Sequence, residues 1–227
     1  MRMLHRYRTD HPNQVHQLLV SVSKHFYVRR NGTVAFQWKA IDIDLARLDT
    51  AKRNHLVHYL LRDHYSGSFY AETATAENLI DLGEFLHRAW TTKEVYLDQD
   101  MPFPFCGMPD ALTVPTKVME RFPNVSRLMD AYGIAHIKAT SGFQAGVRDL
   151  KTWEEDFRFR FWSIDQPIDF TMAQRMAPAG ACLLSGDRNG GRSKIKVWVA
   201  GNPSIRLPPD REVFLTTYRR DRPQPAG

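Results

Sequence analysis

The stretch from Val15 to Val28, VHQLLVSVSKHFYV, constrains the fold more than any other part of this chain. It is dense in β-branched and aromatic residues and partly alternating, which predicts one or two strands. Asn31-Gly32 follows as a hairpin turn signal, and TVAFQWKAI returns as a strand. DIDLARLDTAKRNH is polar, with a weak helical period at best. In HLVHYLLRDHYSGSFYAETA, Leu56 to Leu61 reads as a buried strand, Ser66-Gly67 as a turn and Phe69 to Thr73 as the returning strand. A sheet that opens with an antiparallel meander is the expected result.

Helical periodicity begins after it. Thr75 is the expected N-cap of the next element, with Glu77 in its first turn. In AENLIDLGEFLHRAW, Leu79, Leu82, Gly83, Leu86, Ala89 and Trp90 share one face. Residues 91–110 form a Pro-rich connection to a short strand, Ala111 to Val114. NVSRLMDAYGI sets Val125, Leu128, Met129 and Tyr132 at helical spacing, with Gly133 as a left-handed cap. AHIKAT reads as a strand and SGFQAG as a loop. VRDLKTWEEDFRFRFW is a long helix candidate with Leu150, Trp153, Phe157 and Phe161 on its core side. A further helix is expected around DFTMAQRM. SKIKVWVAG, SIRLP and REVFLTTY read as a small terminal β element. The chain thus divides into a basic arm over 1–12, an α/β domain over 13–165, a helix plus β extension over 166–218, and a disordered tail over 219–227.

Charge and cysteine content narrow the function classes. A net charge of +6 and a pI near 9.4 permit phosphate contacts without demanding them. Two cysteines, Cys106 and Cys182, make neither a disulfide framework nor a zinc cluster, so reduced thiols are expected. No run approaches the ~20 apolar residues of a membrane span. Met1-Arg2-Met3-Leu4-His5-Arg6 lacks the apolar core of a secretory signal. The expectation is a cytoplasmic protein with no membrane partner.

The segment FPFCGMPDALTVPTK poses the functional question. Ligands and catalytic groups of α/β proteins gather where a strand ends, yet this strand runs into Pro115-Thr116-Lys117. Six phrases, in order, resemble bacterial transposase and integrase catalytic cores with a ribonuclease H-like fold. They are HPNQVHQLLVSVS, HLVHYLLRDHYSGSFYAE, LGEFLHRAW, FPFCGMPDALTV, MDAYGIAHI and SGFQAG, covering about residues 11–162. The resemblance implies a mixed sheet flanked by helices and, in active members, three carboxylates holding two divalent ions. Such hard cations, ~3.5–4 Å apart, require oxygen ligands.

Carried over position by position, the first two of those carboxylates are missing. The first acid of a PNxVWQxD phrase falls on Leu19, and the second, ending GxPxxLxxD, falls on Pro115. The third follows a Gly-x-Val step and falls on Arg148, or with a shift on Asp149. The expectation is therefore a catalytically degenerate domain without resident metal or cofactor, binding DNA or scaffolding a mobile-DNA complex. Its partners would be DNA, a second copy or another recombination protein. A rival register makes Asp42 or Asp44 the first ligand and Asp149 the third, with Asp98, Asp100 or Asp110 replacing the missing second, giving a magnesium- or manganese-dependent nuclease or strand-transfer enzyme. A third reading is a protein-interaction module that binds no DNA.

Remaining candidates have plainer readings. Asp63 reads as a turn-capping residue before Ser66-Gly67. His55/His58 and His58/His64 lack a third ligand for zinc. Cys106 has no marked base to activate it. Glu154, Glu155 and Asp156 read as a solvated helix face paired with Arg158 and Arg160. Two basic clusters are the phosphate-contact candidates: Arg188, Arg192, Lys194 and Lys196, and then Arg219 and Arg220 with Arg222.

Overall fold

A computed structural model describes residues 8–93, 96–98, 101–138, 143–186 and 193–219. Val15–Val28 is one strand, β1, of 14 residues. Its pairing register shifts between Val22 and Tyr27, where Ser23 Oγ accepts from the Phe26 and His25 amides at 3.0 and 3.4 Å. This bulge lets so long a strand twist without losing its pairing. Gly32 turns the chain at φ +82° into β2 (Val34–Phe36), a shorter return than TVAFQWKAI predicts. The polar DIDLARLDTAKRNH stretch forms a 3-10 helix over Leu45–Thr50, capped by Asp44.

β3 (Asn54–Asp63) and β4 (Phe69–Thr75) complete the meander through the Ser66-Gly67 turn, with Gly67 at φ +80°. The first long helix, α1, is Leu82–Trp90, shorter than expected. Its cap is Asp81, which accepts from the Gly83 and Glu84 amides at 2.9 and 3.3 Å. Thr75 instead ends β4 and takes the Asn78 amide at 3.1 Å. A two-stranded ribbon, β5 (Tyr96–Asp98) and β6 (Met101–Pro102), precedes β7 (Ala111–Thr113). Then come α2 (Thr116–Arg121), α3 (Asn124–Ala131), β8 (Ala135–Ile137), α4 (Gln144–Ser163) and α5 (Phe170–Ser185). Gly133, at φ +62°, supplies the left-handed cap after α3.

The main sheet has the order β4-β3-β1-β7-β8, with β2 paired to the far end of β1. β4, β3 and β1 are antiparallel, whereas β1, β7 and β8 run parallel. This is the mixed, helix-flanked sheet of a ribonuclease H-like fold. Alternation sorts the side chains into two cores. Leu18, Val57, Tyr59, Leu61 and Tyr70 face α1 and α3, while Leu56, Leu60, Phe69 and Ala71 face α4 and α5.

The expected terminal β element is absent from the described residues. SKIKVWVAG is helical, α6 (Lys194–Ala200), with Ser193 accepting the Lys196 amide at 3.3 Å as its cap. Residues Ser204 to Pro208 carry no regular structure, and REVFLTTY lies in a second helix, α7 (Arg211–Arg219). Burying Ile195 with Trp198, and Phe214 and Leu215 with Tyr218, requires the three- and four-residue spacing of a helix. The basic arm through Tyr7 and the tail from Arg220 lie outside the described residues.

Candidate functional site

The parallel register of β1 and β7 sets side by side the two stretches in which the resemblance places its first two acids. Val15, His16 and Gln17 lie opposite Ala111, Leu112 and Thr113. Two residues further, Leu19 and Pro115 fall at the same level. Leu19 is half-buried and joins the core beneath α4. A Cβ added to Gly146 would stand 3.0 Å from Leu19 Cδ1 and 3.2 Å from Gln17 Oε1, so the first turn of α4 rests on β1 there. An apolar contact fills the place.

Pro115 serves the backbone. At φ −61° it leads out of β7 into α2, and its carbonyl accepts from Val118 and Met119 at 2.9 and 3.1 Å. Thr116 and Lys117 are exposed just beyond it. Lys117 Nζ donates to Asp44 Oδ2 at 2.5 Å, which explains a lysine at this strand end.

Asp149 is the one acid of the carried-over set that reaches the centre of the α4 face, and two cations hold it. Arg62 Nε of β3 donates to its Oδ2 at 2.5 Å, and Lys194 Nζ of α6 to its Oδ1 at 2.8 Å. Arg62 also donates to Gln17 Oε1 at 2.9 Å, and Gln17 Nε2 donates to the Phe143 carbonyl at 3.0 Å. The Arg62 and Asp149 side chains are only 10% and 18% exposed, so the pair is largely shielded from water. This links β1, β3, α4 and α6. Arg148 is exposed.

The alternative acids lie elsewhere. Asp42 pairs with Arg47 at 3.2 Å. Asp44 caps the 3-10 helix through the Arg47 amide at 3.1 Å, and its hydrogen bond from Lys117 holds its carboxyl below the usual range. The rival register brings Asp44 and Asp149 into contact only with basic partners. Among the described residues no cluster of three His, Cys, Asp or Glu side chains has the placement to hold a metal ion.

Beside this edge lies a buried polar node that the sequence shows only as a turn. Asp63 accepts from the Asn13 amide at 2.9 Å, the Ser66 amide at 2.7 Å and Ser66 Oγ at 2.6 Å. Burial, the leading effect, raises its pKa, and these bonds oppose the rise. His16 Nδ1 accepts from Trp90 Nε1 at 3.2 Å, which leaves Nε2–H to donate to Asn13 Oδ1 at 3.1 Å. Cys106 is buried, and burial raises its pKa, the opposite of thiolate activation.

The acidic run on α4 divides differently from its solvated reading. Asp156 pairs with Arg160 at 2.5 Å and Glu155 is exposed. Glu154 is half-buried in a groove under the β1 bulge, and burial pushes its pKa up to about 7. Trp153 and Phe157 are buried as expected of core residues.

Of the basic candidates, Lys194 is engaged by Asp149, and Arg219 by Asp81 at 3.2 Å and Glu84 at 3.5 Å. Lys196 lies on α6. Arg188, Arg192 and Arg220 lie outside the described residues. No helix among the described residues is long and apolar enough to cross a membrane.

No family model and no curated protein matches the sequence. Among solved structures, the fold is similar to a chain of the simian T-cell lymphotropic virus intasome in complex with PP2A regulatory subunit B56 gamma. The TM-score is 0.53 and the identity 12%, over 92% of this chain and 61% of that one. At that identity the likeness is one of fold: an integrase-like domain, spanning less than two thirds of the viral chain.

Proposed function

We propose that this domain is an integrase-type module without a polynucleotidyl-transfer site, used as a DNA-bound or scaffolding component of a mobile-DNA complex. The observation that carries the reading is the wiring of Asp149. Its two oxygens are occupied by Arg62 and Lys194, while the positions that the resemblance gives to the first two acids hold Leu19, inside β1, and Pro115, just past β7. Among the described residues no group of three His, Cys, Asp or Glu side chains is placed to hold a metal ion. Two ions of double positive charge would also have to displace two resident cations. The integrase-like fold supports the association with DNA, and the net charge of +6 is compatible with it.

Calorimetric titration with Mn²⁺ on the full chain and on Asp149→Asn tests the site. The expected result is no saturable heat from either protein, with Asp149→Asn losing about 2–4 kcal/mol of stability because Arg62 is left largely buried without its partner. Saturable Mn²⁺ binding abolished by Asp149→Asn or Asp44→Ala, with cleavage of supercoiled DNA, would establish the metal-dependent enzyme instead. Mobility shifts of duplex DNA across a salt series test the partner. Phosphate contacts require a steep loss of affinity with ionic strength, and absence of binding at low salt would leave a protein scaffold.

A further inference from the structure

A second surface lies where β2 ends, away from the strand ends described above. Beyond Phe36 the chain leaves the sheet, and Trp38 stands 82% exposed. Trp162 on α4 is 56% exposed, and the two indoles lie nearly parallel, 17° apart with centroids separated by 6.0 Å. Phe36 meets both edge-on at 5.2 and 5.4 Å, which fixes the pair in place. The other tryptophans, Trp90, Trp153 and Trp198, are buried.

Gln37 and Lys39, the sequence neighbours of Trp38, open a groove of about 660 Å³ that continues to Lys52 and Arg53. The groove's one carboxylate, Asp42, is matched by Arg47 at 3.2 Å. Lys39, Lys52 and Arg53 therefore leave it positive. Arg53 is positioned, with its guanidinium 4.5 Å from the Tyr27 ring centroid and Nη1 donating to Gln37 Oε1 at 2.6 Å.

Exposed ring faces beside unbalanced, positioned cations match a ligand that alternates flat bases with phosphates. Aromatic stacking combined with a basic groove is the physical basis of single-strand binding. A duplex does not fit the same description, because its base faces are already stacked on one another. We propose that Trp38, Trp162 and the groove from Lys39 to Arg53 form a binding track for single-stranded nucleic acid. One base stacks on the open face of Trp38, and the following phosphates run along Lys39, Lys52 and Arg53. The track differs in ligand form from the duplex association tested above, so the failure of either leaves the other standing.

The test is a fluorescence titration of the full chain with a single-stranded deoxythymidine oligonucleotide. Because the other three tryptophans are buried, long-wavelength indole emission reports on Trp38 and Trp162. Saturable quenching is expected. Trp38→Ala should weaken binding roughly five- to 100-fold, the scale of one lost base stack. Its fold is checked by circular dichroism, and the exposure of Trp38 makes retention the expected result. Lys39→Ala/Lys52→Ala should reduce the slope of log affinity against log salt by about 1.4. Unchanged affinity in both Trp38→Ala and Trp162→Ala would overturn the proposal. So would inorganic polyphosphate binding as tightly as the oligonucleotide, or a dimer that Trp38→Ala dissociates without any effect on the oligonucleotide.

Discussion

His16 and His58 are fully enclosed, and burial is the leading reason that each has its pKa lowered to about 3, with Lys93 adding to the effect at His16. Both are neutral in the folded protein at neutral pH, whereas an unfolded histidine takes up a proton near pH 6.5. Between about pH 3 and 6.5 the unfolded chain binds more protons, so stability rises with pH across that window and falls on acidification. Each histidine contributes a slope approaching about 1.4 kcal/mol per pH unit there. Urea unfolding followed from pH 7 to pH 5 should show this loss, and His58→Gln should remove one histidine's share of the slope. Asp63 makes a separate case. Asp63→Ala strands the Asn13 and Ser66 amides, and the expected loss is about 2–4 kcal/mol by the same measurement. The sequence marks Asp63 correctly as a turn residue but says little about His16. Spacing identifies possible metal pairs, whereas burial by Trp90 and Asn13 depends on the fold.

At the scale of elements, the meander was readable because alternation and turn residues agree at β1 through β4. The final helices were not. In KIKVWVA and REVFLTTY, β-branched residues favour a strand locally, but docking onto the core selects the helical period. Gly83 shows how closely α7 docks. A Cβ there would come within 2.7 Å of the Tyr218 ring, so α1 and α7 meet at a position that only glycine fills without displacement. Gly83→Ala should destabilise by about 1–3 kcal/mol through overpacking. In a Tyr218→Ala background the same substitution should be less harmful, and a double-mutant cycle reads the difference as coupling. Phrase spacing also singled out Leu19, which lies within β1, and Pro115, which follows β7. It could not show the cations around Asp149, because Arg62 and Lys194 lie 87 and 45 residues away in sequence. Nor did it isolate Trp162, whose exposure depends on which side of α4 meets the sheet.

For the molecule as a whole, the segment beyond residue 165 bears on the sheet directly. Thr33 bridges to Asp169, and the Val34 amide donates to the Ile168 carbonyl at 2.8 Å, so the β2 hairpin is held by the chain leading into α5. Along α5, Ala173, Ala177 and Ala181 pack with Leu56, Leu60, Phe69 and Ala71, and Ser185 Oγ accepts the Phe69 amide at 3.2 Å. A fragment of residues 13–165 should therefore self-associate or remain loosely packed, as light scattering and near-ultraviolet circular dichroism would show. A stable, monodisperse fragment would refute this. The same clamp orders events during synthesis. Every strand among the described residues is synthesised before α5, so the nascent sheet presents a bare apolar face until residues 170–185 have followed, and that interval is where a chaperone would be needed.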